Sequence, residues 1–268
     1  MKKSITKAAV LLAAITVPFG LISCSKNTSE VKTVYVGVGY ESDFSYLNEK
    51  GELAGYEIDM LKAIDEALPQ YEFKYETSDL KGILLGLSAG KFDIGLKQDE
   101  SNEERRKNYL FSESGYLCYD SYIQVLSTRN DINSLEDLQG KTVLGGSTVG
   151  AAMGTKLENL NKDLPDDKKY KVIYAKLTTE ELLASLKNGS IDASTSTKAL
   201  FRKKVQQYGD VVKLVGKEPV RKSDAYVLFN KEQGKLKADF DAVLNDLVAS
   251  GKLSEISVKA LGYDYKDN

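Results

Sequence analysis

The chain has 268 residues, 42% hydrophobic and 28% charged, the mixture expected of one large or two small globular domains. Its 37 Lys and Arg against 39 Asp and Glu leave a net charge of −2, which argues against bulk nucleic-acid binding, since that needs a basic footprint. There is no histidine and there are only two cysteines, which excludes a histidine triad, a histidine metal site, a disulfide framework and a four-thiolate zinc site.

Lys2, Lys3 and Lys7 give a basic start, and an apolar run follows from Ala8 to Ile22. This is the pattern of a secretory signal over residues 1–23, too short to span a membrane comfortably. It ends in Leu21-Ile22-Ser23-Cys24, which resembles a bacterial lipobox. Cys24 is therefore the expected lipidation site, and residues 24–30 read as a polar tether. The alternative is an ordinary secretory signal with a chance cysteine. Cys118 then remains alone and reads as a small buried hydrophobe. No later segment approaches 18 apolar residues.

Strand-like and helix-like patterns alternate from there. Val34–Val38 reads as a buried strand, and Asn48–Glu52 as a polar hairpin turn. Ile58, Leu61, Ile64, Ala67 and Leu68 have helical spacing, ended by Pro69. Tyr71–Tyr75 alternates like a strand, Leu80–Ala89 reads as a helix stopped by Gly90, and Phe92–Leu96 as a third strand. A second set follows: a short helix at Leu135–Leu138, strands at Lys141–Leu144, Lys171–Ala175 and Ile191–Ala193, and helices at Gly150–Asn159 and Thr179–Lys187. The stretch Leu87–Asp93 parallels Leu186–Asp192, each a helix end, a glycine cap and a strand carrying Asp.

The pattern predicts an α/β fold of two lobes, each with a mixed, mostly parallel sheet flanked by helices. Two extended runs, Tyr116–Ser127 and Asp224–Asn230, would cross between the lobes, returning the helix Ala238–Ala249 to the first. The expected division is 31–119 plus 223–268 for lobe 1 and 120–222 for lobe 2. Two crossings permit closure about a ligand lying beyond the strand ends.

Five motifs in order resemble one family. They are Gly51–Asp59, Ser88–Asp93, Glu104–Ser112, Leu135–Lys141 and Leu186–Ala193. The chain is similar to the extracytoplasmic solute-binding proteins of polar amino-acid ABC transporters (family 3 type), which have the periplasmic-binding-protein fold. The resemblance implies a lipid-anchored receptor, likewise extracytoplasmic and monomeric. It would bind a polar amino acid, cystine-like ligands among the candidates, in the cleft and hand it to a membrane permease. No metal, cofactor or nucleic acid is implied.

The same resemblance nominates residues. Arg105 matches the arginine that grips the ligand carboxylate, a task suited to a planar guanidinium. Ser147 and Thr148 match a loop before a helix, where backbone N–H groups and hydroxyls seat an anion. Tyr40 and Phe44 occupy the loop that supplies a stacking ring, Phe44 being the better match. The family's ammonium-binding Asp falls at Thr197, which carries no charge. Gln98 matches a variant of cystine-type members, and Glu100 stands where a hydroxyl normally meets the ammonium. One reading has Glu100 replacing the charge missing at Thr197, with Lys97 balancing it or reading a side-chain carboxylate of the ligand. The other turns these charges outward and gives the protein a ligand other than a standard amino acid.

Two rival functions remain at this level. An enzyme on the same fold would need a base, and neither Gly145–Val149 nor Gly37–Gly39 completes a catalytic or dinucleotide motif. A sensor or host-binding lipoprotein would keep the fold and change the partner.

Overall fold

The structure is a computed structural model and describes residues 31–40 and 43–267. The expected signal segment, Cys24 and the tether lie outside these residues. Strand β1 (Lys32–Gly39) buries Val34, Val36 and Val38 completely while Tyr35 stays half exposed, the alternation of a pleated strand. The short pair β2 (Tyr46–Leu47) and β3 (Leu53–Ala54) closes the polar hairpin. Helix α1 (Tyr56–Ala67) begins after Gly55, whose φ is +114°. A Cβ there would stand 2.5 Å from the Phe44 carbonyl oxygen, so both the angle and the space call for glycine. The helix buries Tyr56, Ile58, Met60, Leu61 and Ile64, and with them one charged residue, Glu57.

Strand β4 (Tyr71–Ser78) runs parallel to β1 over its whole length. Helix α2 (Leu80–Ser88) is capped by the Asp79 carboxylate, which accepts from Gly82 N–H. Strand β5 (Ile94–Glu100) lies parallel to β1 on its other side. It starts two residues later than the apolar run suggests. Asp93 is occupied as a side-chain acceptor: Tyr35 N–H donates to its Oδ2 at 2.9 Å. The strand also runs on through the polar residues to Glu100, because a later strand pairs there. A short helix α3 (Glu103–Asn108) follows, capped by Asn102, then β6 (Leu110–Phe111) and β7 (Leu117–Cys118).

The chain then crosses into a second set of strands. Strand β8 (Tyr122–Leu126) comes first, then a 3₁₀ turn at Glu136–Leu138, where the sequence pattern suggests a short helix. Next come β9 (Thr142–Gly146), α4 (Ala152–Leu160), β10 (Lys171–Tyr174) and α5 (Thr179–Asn188). Helix α5 opens with a capping box between Thr178 and Glu181. Strand β11 (Ser194–Ser196), helix α6 (Lys198–Tyr208) and β12 (Val212–Val215) complete the set. Strands β9 and β10 are parallel, while β8 is flanked antiparallel by β11 and β12.

The return crossing leads to β13 (Asp224–Phe229), which inserts antiparallel beside β5 and gives the order β4-β1-β5-β13-β6. Helices α7 (Gly234–Ala249) and α8 (Lys252–Leu261) end the fold. Both pack with α1 over one face of the first sheet, and α2 covers the other through Ile83 and Leu87. The sequence patterns miss α3, α6, β12 and α8. The crossings are bonded to each other: Tyr119 N–H donates to Ser223 O at 2.7 Å and Ser121 N–H to Arg221 O at 2.8 Å. Each set of strands keeps its own apolar core. This is the two-lobed α/β architecture with two crossings.

The internal repeat survives as structure. Gly90 and Gly189 both adopt positive φ, 72° and 76°. Asp192 does in the second lobe what Asp93 does in the first: its Oδ2 accepts Thr142 N–H at 2.9 Å. The second oxygens differ, since Asp93 takes the Gln233 amide and Asp192 takes Arg129 at 3.0 Å. The strand expected at Ile191–Ala193 is found after it, at Ser194–Ser196, with Ala193 making only an isolated bridge to Val143, and as at β5 the displacement follows an Asp that accepts a neighbouring strand's N–H.

Candidate functional site

The carboxyl end of β5 carries Lys97-Gln98-Asp99-Glu100, four polar residues on a strand that is apolar below. Gln98 has φ +50°, and β13 shifts register opposite it, between Tyr226 and Leu228. Such a bulge re-aims the side chains that follow it. Beneath it lies Glu57, with no exposed surface. Tyr116 Oη donates to Glu57 Oε1, Gln98 N–H donates to Tyr116 Oη at 3.0 Å, and Ser45 Oγ stands 3.2 Å from Oε2. Burial raises the Glu57 carboxyl, and the Tyr116 hydrogen bond pulls it back in part.

Arg105 sits in α3, directly beyond this strand end. Its Nη1 donates to Glu100 O at 2.9 Å and lies 3.0 Å from Asp99 Oδ1. Asp99 is 2% exposed, and burial pushes its carboxyl up to about 6 against the pull of Arg105. Asp99 Oδ2 and Gln98 Nε2 are both buried without a hydrogen-bond partner among the described residues. Glu100 turns toward the return crossing, where Arg221 pairs with it and Ser223 Oγ donates to Oε2 at 2.6 Å.

The structure therefore brings Gln98, Glu100 and Arg105 together. Tyr40 is 59% exposed and lines a pocket of about 320 Å³ with Thr77, Ser78, Asp79 and Lys97. Phe44 is partly buried and packs on the core of the first lobe, while its carbonyl accepts from Glu57 N–H at 2.9 Å. Ser147 and Thr148 stand exposed in the loop between β9 and α4, and no side chain caps that helix. Its first N–H groups are left for solvent or an anion. Thr197 is nearly buried and caps α6, its Oγ1 accepting from Leu200 N–H at 3.3 Å. Cys118 is half-buried rather than buried, and burial pushes its thiol up to about 12. Among the described residues no cluster of acids and cysteine has metal-site geometry.

Sequence reasoning passed over Asp99, Arg221 and Ser223. Asp99 had a signal, being one more acid in a strand whose preceding residues are buried. Arg221 lies 121 residues from Glu100 and had none.

Comparison with known proteins places the chain in a family. The model for bacterial extracellular solute-binding proteins, family 3, matches residues 35–166 and 146–263. The chain belongs to that family, one of solute-binding receptors and not of enzymes. It is 34% identical over 268 residues to the L-cystine-binding protein TcyJ of Bacillus subtilis, covering 97% of this chain and 96% of TcyJ. It is 31% identical over 272 residues to the L-cystine-binding protein TcyK of the same organism, covering 99% and 98%. The crystal structure of ytmK from Bacillus subtilis superimposes with a TM-score of 0.72 at 30% identity, covering 87% of this chain and 99% of that one.

Proposed function

We propose that this protein binds a cystine-like polar amino acid between its lobes, divided at 119/120 and 222/223, and delivers it to an ABC permease. The observation that carries the reading is the strand end at Gln98–Glu100 with Arg105 beside it. A guanidinium with one nitrogen tied down keeps its remaining N–H groups for a ligand carboxylate. The α4 N-terminus beyond Ser147 and Thr148 offers the opposing anion seat on closure. Tyr40 or Phe44 provides the aromatic wall. The names of TcyJ and TcyK support cystine as the first ligand to try.

The protein works as a monomer, held at the outer face of the membrane by a lipid on Cys24. The basic start, the apolar run and Leu21-Ile22-Ser23-Cys24 support that anchor.

A thermal-shift and calorimetric screen with L-cystine, other amino acids and acids lacking an amine tests the reading. A ligand at about 100 times its Kd adds roughly 2.7 kcal/mol of stability. L-cystine should shift the melting temperature of the wild-type protein. Arg105→Lys keeps the counter-charge for Asp99 but loses the fork, and should weaken binding at least about tenfold. No shift with any amino acid would end the amino-acid reading.

A further inference from the structure

The strand end holds two buried polar atoms that meet no hydrogen-bond partner among the described residues, and they are of opposite kinds. Asp99 Oδ2 is an acceptor and Gln98 Nε2 a donor, both buried. Buried polar groups without partners are rare in folded proteins, and each asks for an explanation. The two belong to adjacent residues, and the other oxygen of Asp99 lies 3.0 Å from Arg105 Nη1. A cation and an anionic acceptor thus meet at one place, while the Gln98 side chain, next on the strand, lies toward Glu57. A zwitterion is the ligand chemistry complementary to that set: its carboxylate suits Arg105 and its ammonium suits the free oxygen of Asp99.

The other candidates for the ammonium are already engaged. Glu100 is held by Arg221 and by Ser223 Oγ at 2.6 Å, so its charge is answered within the protein. Thr197 spends its hydroxyl on the α6 cap and carries no charge. Asp99 has one oxygen on Arg105 and another that meets no donor among the described residues, with Lys97 acting on it only through space.

We propose that Asp99 is the ammonium receptor of this site and makes it selective for ligands carrying an α-amine. This rests on the amino-acid reading above and replaces Glu100, the residue singled out from sequence, in that role. A ligand with carboxylates but no amine would meet a buried carboxylate it cannot satisfy, and would be rejected.

The experiment is calorimetric titration of the purified protein with two probes, L-cystine and 3,3′-dithiodipropionate, which is cystine without its amines. Wild type should bind L-cystine at least about a hundredfold more tightly than the amine-free acid. Asp99→Asn is nearly isosteric and keeps an oxygen for Arg105. It should lose at least about thirtyfold in L-cystine affinity while its affinity for dithiodipropionate stays level or rises. Unchanged L-cystine binding in Asp99→Asn overturns the proposal. So does an equal loss for both probes, which would mean that Asp99 only positions Arg105. The wild-type ratio needs no variant, so a folding defect in Asp99→Asn cannot shelter the idea, and a wild type that binds both probes equally also overturns it. If wild type binds neither probe, the cystine reading fails first and Asp99 with it.

Discussion

The first lobe buries an acid and the second half-buries a base, and among the described residues neither meets an opposite charge at hydrogen-bond distance. Glu57 lies wholly inside the first lobe, met by Tyr116, Ser45 and the Gln98 backbone. Lys204, on α6, directs its amine to Gln124 Oε1 at 2.9 Å and Ser196 Oγ at 3.0 Å. Burial moves the two in opposite directions: the carboxyl is raised, and the amine falls to about 8. In both, neutral hydrogen-bonding groups do what a counter-ion would do, which avoids the cost of burying a second charge. The contrast lies in where each group sits. Glu57 underlies the strand end that carries Arg105, whereas Lys204 ties a helix to the strands of its own lobe.

The Ser45 hydroxyl reaches both Gly39 O and Glu57 Oε2, and its bond to Glu57, like that of Tyr116, favours the charged form against the effect of burial. Gln at this position keeps an amide oxygen for Tyr116. Glu57→Ala should therefore cost about 3 kcal/mol, through the cavity and the stranded Tyr116 hydroxyl, whereas Glu57→Gln should stay within about 1 kcal/mol of wild type at pH 7. Urea unfolding measures both. The raised carboxyl contributes stability that is complete below its ordinary 4.5 and is lost as pH rises through the folded value. Glu57→Gln should lack that decline. A Gln variant as damaged as the Ala variant would mean that Glu57 is needed as a charge.

Much of the frame was legible in the sequence because it rests on short-range pattern. Val34, Val36 and Val38 alternate, Ile58, Leu61 and Ile64 recur at helical spacing, and the glycine-then-Asp repeat marks both halves. The site was legible only in outline. Gln98, Glu100 and Arg105 lie within eight residues of one another, so the sequence alone groups them. Their partners do not: Arg221 reaches Glu100, and Tyr116 reaches Glu57, through contacts that no local period encodes. Charge misleads as well. Glu57 and Asp99 look like surface acids until the strands around them are placed. The late starts of β5 and β11 have the same origin, because an Asp that accepts a neighbouring strand's N–H stands where the ladder would begin.

The base in the second lobe gives a smaller effect of opposite sense. A lowered amine contributes stability that is present above its ordinary 10.5 and is lost as pH falls through about 8. Wild type should therefore gain stability relative to Lys204→Met between about pH 8 and 10.5. At pH 7 the variant should differ from wild type by no more than about 1 kcal/mol, since lost hydrogen bonds to Gln124 and Ser196 offset the removal of a poorly solvated charge. Paired urea midpoints across that range measure it. A difference flat with pH would show that Lys204 is solvated in the folded protein, and the symmetry between the lobes would be lost.

The smallest effect concerns the repeat itself. Gly90 and Gly189 share a left-handed conformation, and a Cβ on either meets no atom within 4 Å. Alanine at each should then cost about 1 kcal/mol from backbone strain alone, with nothing added by packing. Equal and additive losses in the two single variants and the double variant would show that the halves use the glycine for the same reason. A markedly larger loss for Gly90→Ala would point to a difference below the level of space and φ. The adjoining Asp93 is the place to look for it, because Gln233 from beyond β13 ties that clasp to the C-terminal part of the chain, whereas Arg129 and Thr142, which meet Asp192, belong to one continuous segment with it.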